Sequence, residues 1–264
     1  MVARLLRFRS LLLVLTGREL KARYRGSFLG FFWSLVNPLL LLGVYSLVFG
    51  WVFAPRIGGA EPYAVFLVCG LFPWIWFSGS LLESTASLTA NAALIRKAVF
   101  PAEVLPLVTV LSHLVHLLLA LPILLAAVFG ARLVGHATGG WSVLLLPAVL
   151  AFHVVFTSGL AFALAALNVL FKDVRDLLGN LLTLLFFLSP ILYPFESVAA
   201  LPVVPWLVRL NPVTPFVLAY QEVLFRGSVP GPDLWVQVAG LSLLAWGIGA
   251  WIFTRLEDVL VEAV

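Results

Sequence analysis

From Val104 to Leu133 the chain reads VLPLVTVLSHLVHLLLALPILLAAVFGARL, with no Asp, Glu, Lys or Arg before Arg132. At about 1.5 Å per residue, a helix of this length exceeds the roughly 30 Å hydrocarbon core of a bilayer. Working outward, similar apolar runs occupy Tyr63 to Leu82 and Ser142 to Leu170, and further ones Phe31 to Phe53, Leu177 to Tyr193 and Leu234 to Thr254. The 264 residues are 62% apolar or aromatic and 11% charged, against about 45–50% and about 25% in a soluble domain. A soluble fold is excluded. The expected class is an all-α polytopic membrane protein with six transmembrane helices, forming one domain over residues 1–264. Its single cysteine, Cys69, rules out an intrachain disulfide or a cysteine zinc cluster.

The formal net charge of +4 matters less than its distribution, and no nucleic-acid partner is expected. Arg4, Arg7, Arg9, Arg18, Lys21, Arg23 and Arg25 precede residue 30, opposed only by Glu19. With Arg96, Lys97, Lys172, Arg175 and Arg255, twelve of the sixteen Lys and Arg fall on one side of a six-span topology. The positive-inside rule makes that side, with both termini, cytoplasmic. The opening resembles a signal peptide only until Leu15, because no small-residue cleavage pattern follows. Arg18, Lys21 and Arg25 share one helical face, and Leu13, Leu20 and Tyr24 another. Residues 1–30 are therefore expected to form an amphipathic helix in the membrane surface; ordinary orientation charges flanking span one are the alternative.

The segment 194–232, between spans five and six, is apolar yet broken by Pro194, Pro202, Pro205, Pro212 and Pro215. It cannot be one spanning helix. Thr214 as N-cap, Pro215 as first residue and Gly227 as stop predict a short helix to Arg226, with a second near Ala199 to Leu207. Such helices either re-enter the outer leaflet or cover the bundle as an external loop.

Enzyme motifs are missing. The chain has no P-loop, G-x-S-x-G or H-E-x-x-H, so neither nucleotide nor metal is expected on it. His113 and His116 share a helical face, but two ligands do not close a metal site, and interhelical hydrogen bonding is favoured. Lys172 and Asp176 have the spacing of a local helical ion pair.

Three segments carry a family resemblance. Arg18 to Trp33 (RELKARYRGSFLGFFW), followed by Asn37-Pro38, is the first; Asn91 to Pro106 (NAALIRKAVFPAEVLP) is the second. The third is Asn168 to Asp176 (NVLFKDVRD), leading to Ser189 to Tyr193 (SPILY) and Asn211-Pro212. In this order they resemble ABC-2 type permeases that export polysaccharides: O-antigen, teichoic acid and capsule. The resemblance implies a permease homodimer in the bacterial inner membrane, paired with two ATPase subunits that bind ATP and Mg. It implies a coupling segment at 91–101, with Leu94, Ile95 and Phe100 meeting the ATPase and Arg96 and Lys97 at its rim. For a lipid-linked glycan it implies cations for an anionic head group, supplied by Lys21, Arg23 and Arg25 beside Tyr24. It also implies an aromatic path for sugars, for which Trp33, Trp74 and Phe77 are the leading candidates. Each aromatic taken singly also suits an interfacial belt or helix packing. An ABC-2 permease for a drug, peptide or small lipid is the nearest alternative. A membrane-embedded lipid-carrier enzyme or a secondary carrier fits less well, since the acids and histidines are dispersed.

Overall fold

The computed structural model describes residues 1–23, 25–26, 30–48, 62–97 and 101–263. Among these every element is helical. The amino-terminal region is two helices rather than one, α1 (Val2–Arg7) and α2 (Arg9–Arg23), separated at Phe8. α3 (Trp33–Tyr45) leads on to α4 (Tyr63–Thr85), followed by the short helices α5 (Ser87–Ala90) and α6 (Ala92–Lys97). α7 (Val104–Leu133), α8 (Leu146–Leu170) and α9 (Val174–Leu188) come next. Short helices α10 (Phe195–Val198), α11 (Val204–Leu210) and α12 (Thr214–Tyr220) precede the long α13 (Pro232–Ala263).

Among the described residues four helices are long and apolar enough to cross a membrane: α4, α7, α8 with its preceding 3-10 turn, and α13. α3 and α9, with 13 and 15 residues, are shorter. The part of span one expected from residue 49 to Phe53 lies outside the described residues. Span five, expected to reach Tyr193, ends at Leu188 because Ser189 precedes Pro190 and adopts ψ 142°, as clash with a following proline ring demands.

α4 is the centre of the bundle. Its apolar stretch is 78% buried within the chain, against 28% for α7 and α13, whose outer faces are left to lipid. α8 and α13 make the closest helix pair. A Cβ on Gly159 would lie 2.4 Å from the Ala245 backbone, and one on Gly249 1.8 Å from the Gly159 carbonyl oxygen. Only glycine permits that approach, and in a bilayer such close packing replaces the hydrophobic drive that lipid removes.

The proline-broken region is fastened from inside. Asn211 Nδ2 donates to the Leu185 carbonyl (3.0 Å) and to Ser189 Oγ (2.9 Å), while its Oδ1 accepts the Val213 N–H (2.9 Å). Gln221 Nε2 donates to the Pro190 carbonyl (2.7 Å). The expected Thr214 N-cap is not formed: Thr214 is the first helical residue, and the Asn211 turn closes the chain ahead of it. After Tyr220 the helix widens into a π turn over Gln221–Phe225, and Gly227, at φ +64°, ends it. The other short helices lie at 195–198 and 204–210 rather than 199–207, because Pro202 interrupts the expected stretch and Pro205 sits in the first turn of α11.

Arg4 donates to Glu257 Oε1 at 2.7 Å, so the amino-terminal helices and the end of α13 share one end of the bundle. Tyr63 donates to the Leu192 carbonyl (3.0 Å), which puts the proline-broken region at the other end of α4.

Candidate functional site

Two concavities are lined by described residues of the bundle. The first is a groove of about 490 Å³ between α3, α4 and α9. Tyr45, Trp74, Phe186 and Phe187 give it an aromatic wall, with Ser78, Gly79 and Thr183 between them. The Phe186 ring links Tyr45 (5.9 Å between centroids) to Trp74 (5.5 Å). Ser78 and Thr183 satisfy their hydroxyl protons on the carbonyls of Trp74 and Gly179, leaving oxygen lone pairs for a ligand. The groove thus offers flat apolar faces with a few acceptors, a surface that suits the C–H faces of sugars better than an aliphatic wall.

Phe77 is not part of that wall. It is 1% exposed and stacks on Phe156 and His153 of α8 (5.9 and 5.4 Å), touching Trp74 from behind (5.7 Å). Residues three apart on a helix differ by about 60° in direction. On α4, enclosed on both sides, that offset carries Phe77 from the groove into the core. Trp76 is buried as well, its ring edge-on to His153 at 4.8 Å. Trp33, at the start of α3, is 40% exposed and does not line the groove.

The second concavity is a cleft of about 460 Å³ between α2, α6, the end of α4 and the start of α7. Leu15, Arg18, Glu19, Asn91, Leu94 and Arg175 are on its walls. Of the expected coupling residues, Leu94 borders this cleft, half-buried, and Arg96 is exposed. Ile95 turns inward instead, packing in a cluster with Leu5, Leu12, Leu88 and Leu105. It therefore anchors α6 to its own bundle rather than presenting to a partner. The Lys97 side chain and Phe100 lie outside the described residues.

Of the expected head-group cations, Lys21 and Arg25 are exposed, and Tyr24 lies outside the described residues. Arg23 is engaged internally. Its guanidinium donates to Glu83 of α4 and lies 3.8 Å from Glu19, and the Glu83 carboxylate is also 3.0 Å from His113 Nε2. The same Nε2 lies 3.4 Å from both terminal nitrogens of Arg23, so it donates to Glu83 in one tautomer and accepts from Arg23 in the other. Burial pushes the Glu19 carboxyl above its ordinary pKa, partly offset by Arg23. His113 thus makes an interhelical hydrogen bond, and its ring stands perpendicular to that of His116, 5.9 Å away. Lys172 and Asp176 form no ion pair among the described residues: α9 starts at Val174, leaving Lys172 outside the helix.

At the other end of the strap-like pair α1–α2, Arg4 lies 3.4 Å from Glu103 and donates to Glu257. Sequence reasoning missed both arginine clusters. The available signal was the position of Glu83 and Glu103 at the ends of otherwise apolar helices, where an ionisable residue demands a partner.

The architecture is that of a multi-pass membrane protein with an aromatic groove along one side. The chain belongs to the ABC-2 type transporter family, which it matches over residues 10–225. Members are membrane subunits of transporters that work with a partner ATPase. The chain is 35% identical to the O-antigen export system permease protein RfbA of Myxococcus xanthus, over 100% of this chain and 99% of the other. It is 33% identical to an RfbA of Klebsiella pneumoniae over 83% and 82%. To the polysialic acid transport protein KpsM of Escherichia coli it is 24% identical over 93% of each.

Proposed function

We propose that this chain is the permease subunit of an ATP-driven exporter that moves a lipid-linked polysaccharide of the O-antigen type across the bacterial inner membrane. The end-to-end match to an O-antigen export permease at 35% identity carries this reading, and 24% to the polysialic acid transporter makes capsule the more distant cargo. In this reading α3 and α9 complete six crossings, both termini are cytoplasmic, and α10 to α12 form the external re-entrant region. Two copies face each other across their aromatic grooves, with two ATPase subunits holding ATP and Mg below.

A long hydrated glycan cannot cross a dry aliphatic bundle, because its hydroxyls would lose water without replacement partners. Two facing walls of Tyr45, Trp74, Phe186 and Phe187 give sugars a surface to slide over, while Phe77 supports Trp74 from the core. Trp33 stands nearer the cytoplasmic mouth, and Lys21 and Arg25 are placed to meet an anionic head group. Closure of the ATPases would displace the segment 91–101 and shift α4 and α7, between which it runs.

The test is complementation: in a strain lacking its own O-antigen permease, this chain expressed with its cognate ATPase should restore surface polysaccharide. Restoration of drug resistance without polysaccharide would refute the reading. Trp74→Ala should cut export several-fold while the complex assembles and hydrolyses ATP. Export falling only in proportion to protein level would make the aromatic wall scaffold.

A further inference from the structure

The arginine clusters at the two ends of α1–α2 have no role in the function proposed above, and one of them occupies a residue expected to bind substrate. α1–α2 crosses the bundle end on a narrow apolar stripe that packs along α7: among its described side chains Leu5, Leu12 and Thr16 are buried, whereas Leu6, Leu13 and Val14 are 66–72% exposed. Beside residues 15–22, towards the Arg23 end, lies the 460 Å³ cleft. Its ends are held by charge. Arg4 reaches Glu103, which is 1% exposed, and Glu257; Arg23 reaches Glu83, whose carboxylate is also 3.0 Å from His113 Nε2.

The partners are placed to carry motion. Glu83 is near the end of α4 that runs into α5 and α6, and Glu103 immediately precedes α7. The two clasps therefore bracket the coupling segment on both sides, and Ile95 within it packs with Leu5 and Leu12. His113, on the inner side of the Arg23 clasp, lies against Gly79, where an added Cβ would meet its ring at 3.0 Å. Gly79 belongs to the groove wall. A shift at the clasp is thus one side chain from the groove.

We propose that Arg4 and Arg23 are positioning residues, and that α1–α2 is a strap whose two ionic clasps transmit displacement of the coupling segment to the groove. Arg23 is then committed to Glu83 and not to a head group. The Arg4–Glu257 and Arg23–Glu83 pairs are part-exposed, and ion pairs of that kind exchange partners at little net cost. The cleft gives the strap room to move. This inference rests on the preceding one only for the partner ATPase.

The test uses the assembled complex with its ATPase and reads strap position without reading export. Cys69 is fully buried, so a cysteine introduced by Leu15→Cys, on the cleft wall, is the thiol read on the permease band, resolved from the ATPase by gel after treatment with a water-soluble maleimide. Trapping the ATPase with ATP and vanadate should change the labelling rate several-fold. Arg23→Gln, and separately Arg4→Gln, should raise the rate and abolish its response to nucleotide while the complex still co-purifies. The exchanged pair, Arg23→Glu with Glu83→Arg, should restore the response. Glu83→Gln, which keeps the shape of the side chain, should reproduce Arg23→Gln even if the exchanged pair fails to assemble. An unchanged rate on trapping, or a response that survives both Arg23→Gln and Glu83→Gln, overturns the strap. Export is then read on the exchanged pair: recovery to at least half of the parent supports positioning. Loss of export with labelling restored shows Arg23 to be a substrate ligand and overturns its assignment. Failure of the parent chain to export polysaccharide would strike the proposed function and leave the labelling result standing.

Discussion

The two ends of this bundle are held together by different physics. At the end bearing the proline-broken region, buried amides and hydroxyls donate to backbone carbonyls: Asn211 to Leu185, Gln221 to Pro190 and Ser142 to Val223. At the amino-terminal end, beside a small apolar cluster, part-exposed charged side chains join the helices, Arg4 to Glu257 and Arg23 to Glu83. A buried carbonyl acceptor cannot be replaced by water without opening the structure, but a half-exposed ion pair can. The first arrangement suits a seal that must not move and the second a part that must. Variants that abolish this contrast should have effects graded by burial.

The largest effect is expected at Gly227. Its φ of +64° is in the left-handed region, and a Cβ there would lie 2.1 Å from the Gly139 carbonyl oxygen. Backbone meets backbone, so no rotamer change relieves the clash. Gly227→Val should cost more than about 3 kcal/mol, read as loss of folded protein in detergent. A variant that melts within a few degrees of the parent would show this end to be as compliant as the other.

Next comes Asn211, 3% exposed. Asn211→Ala leaves the Val213 N–H without its side-chain acceptor and removes one of the two side-chain donors to the Leu185 carbonyl, the other being Ser189 Oγ, at about 1–3 kcal/mol in all. The expected signature is a lower melting temperature together with faster proteolysis between α9 and α12. Asn211→Asp should be nearly as damaging, since a carboxylate keeps the acceptor for Val213 but loses the donor for Leu185 and Ser189.

What the sequence revealed follows the same division. The long helices α4, α7, α8 and α13 were legible because bilayer thickness imposes a length on each apolar run. The ends of α9 and α10 to α12 were legible only as interruptions. Prolines mark where helices stop, but the partner of Asn211 is 26 residues away, and no local pattern announces it. The aromatic groove was half legible. Trp74 and Phe77 share a face by spacing, yet only the neighbours α8 and α9 decide that one lines a groove and the other fills the core. Arg23 was read as a free cation because its partners Glu83 and His113 come from 60 and 90 residues further on. Its charge was visible, whereas its neutralisation was a tertiary fact.

A third measurement compares the ends directly through salt. Raising ionic strength from about 0.15 M to about 1 M shortens the Debye length from about 8 Å to about 3 Å. Arg4 is 45% and Glu83 45% exposed, so the strap should loosen and proteolysis between α1 and α2 should quicken roughly twofold or more. The buried carbonyl-bonded contacts at the other end should be indifferent. Equal responses at both ends would break the comparison.

The smallest effect belongs to the ion pair of the sealed end itself, Glu196 with Arg226, which are 59% and 42% exposed. Burial alone would raise the Glu196 carboxyl, but the hydrogen bond from Arg226 and its positive charge outweigh this and hold the pKa below its ordinary value. A carboxyl depressed in the folded state contributes stability above its unfolded pKa, and that contribution is lost as pH falls through the lower, folded value. The window is therefore acidic, beneath about pH 4, and the exposure of both groups limits the contribution to about 0–1 kcal/mol. Melting curves at neutral and acidic pH should separate by a degree or two more in the parent than in Glu196→Gln. Identical pH dependence in the two proteins would assign no stability to this pair, leaving the sealed end to its buried amides alone. A separation comparable to the Asn211→Ala loss would mean that charge fastens both ends alike.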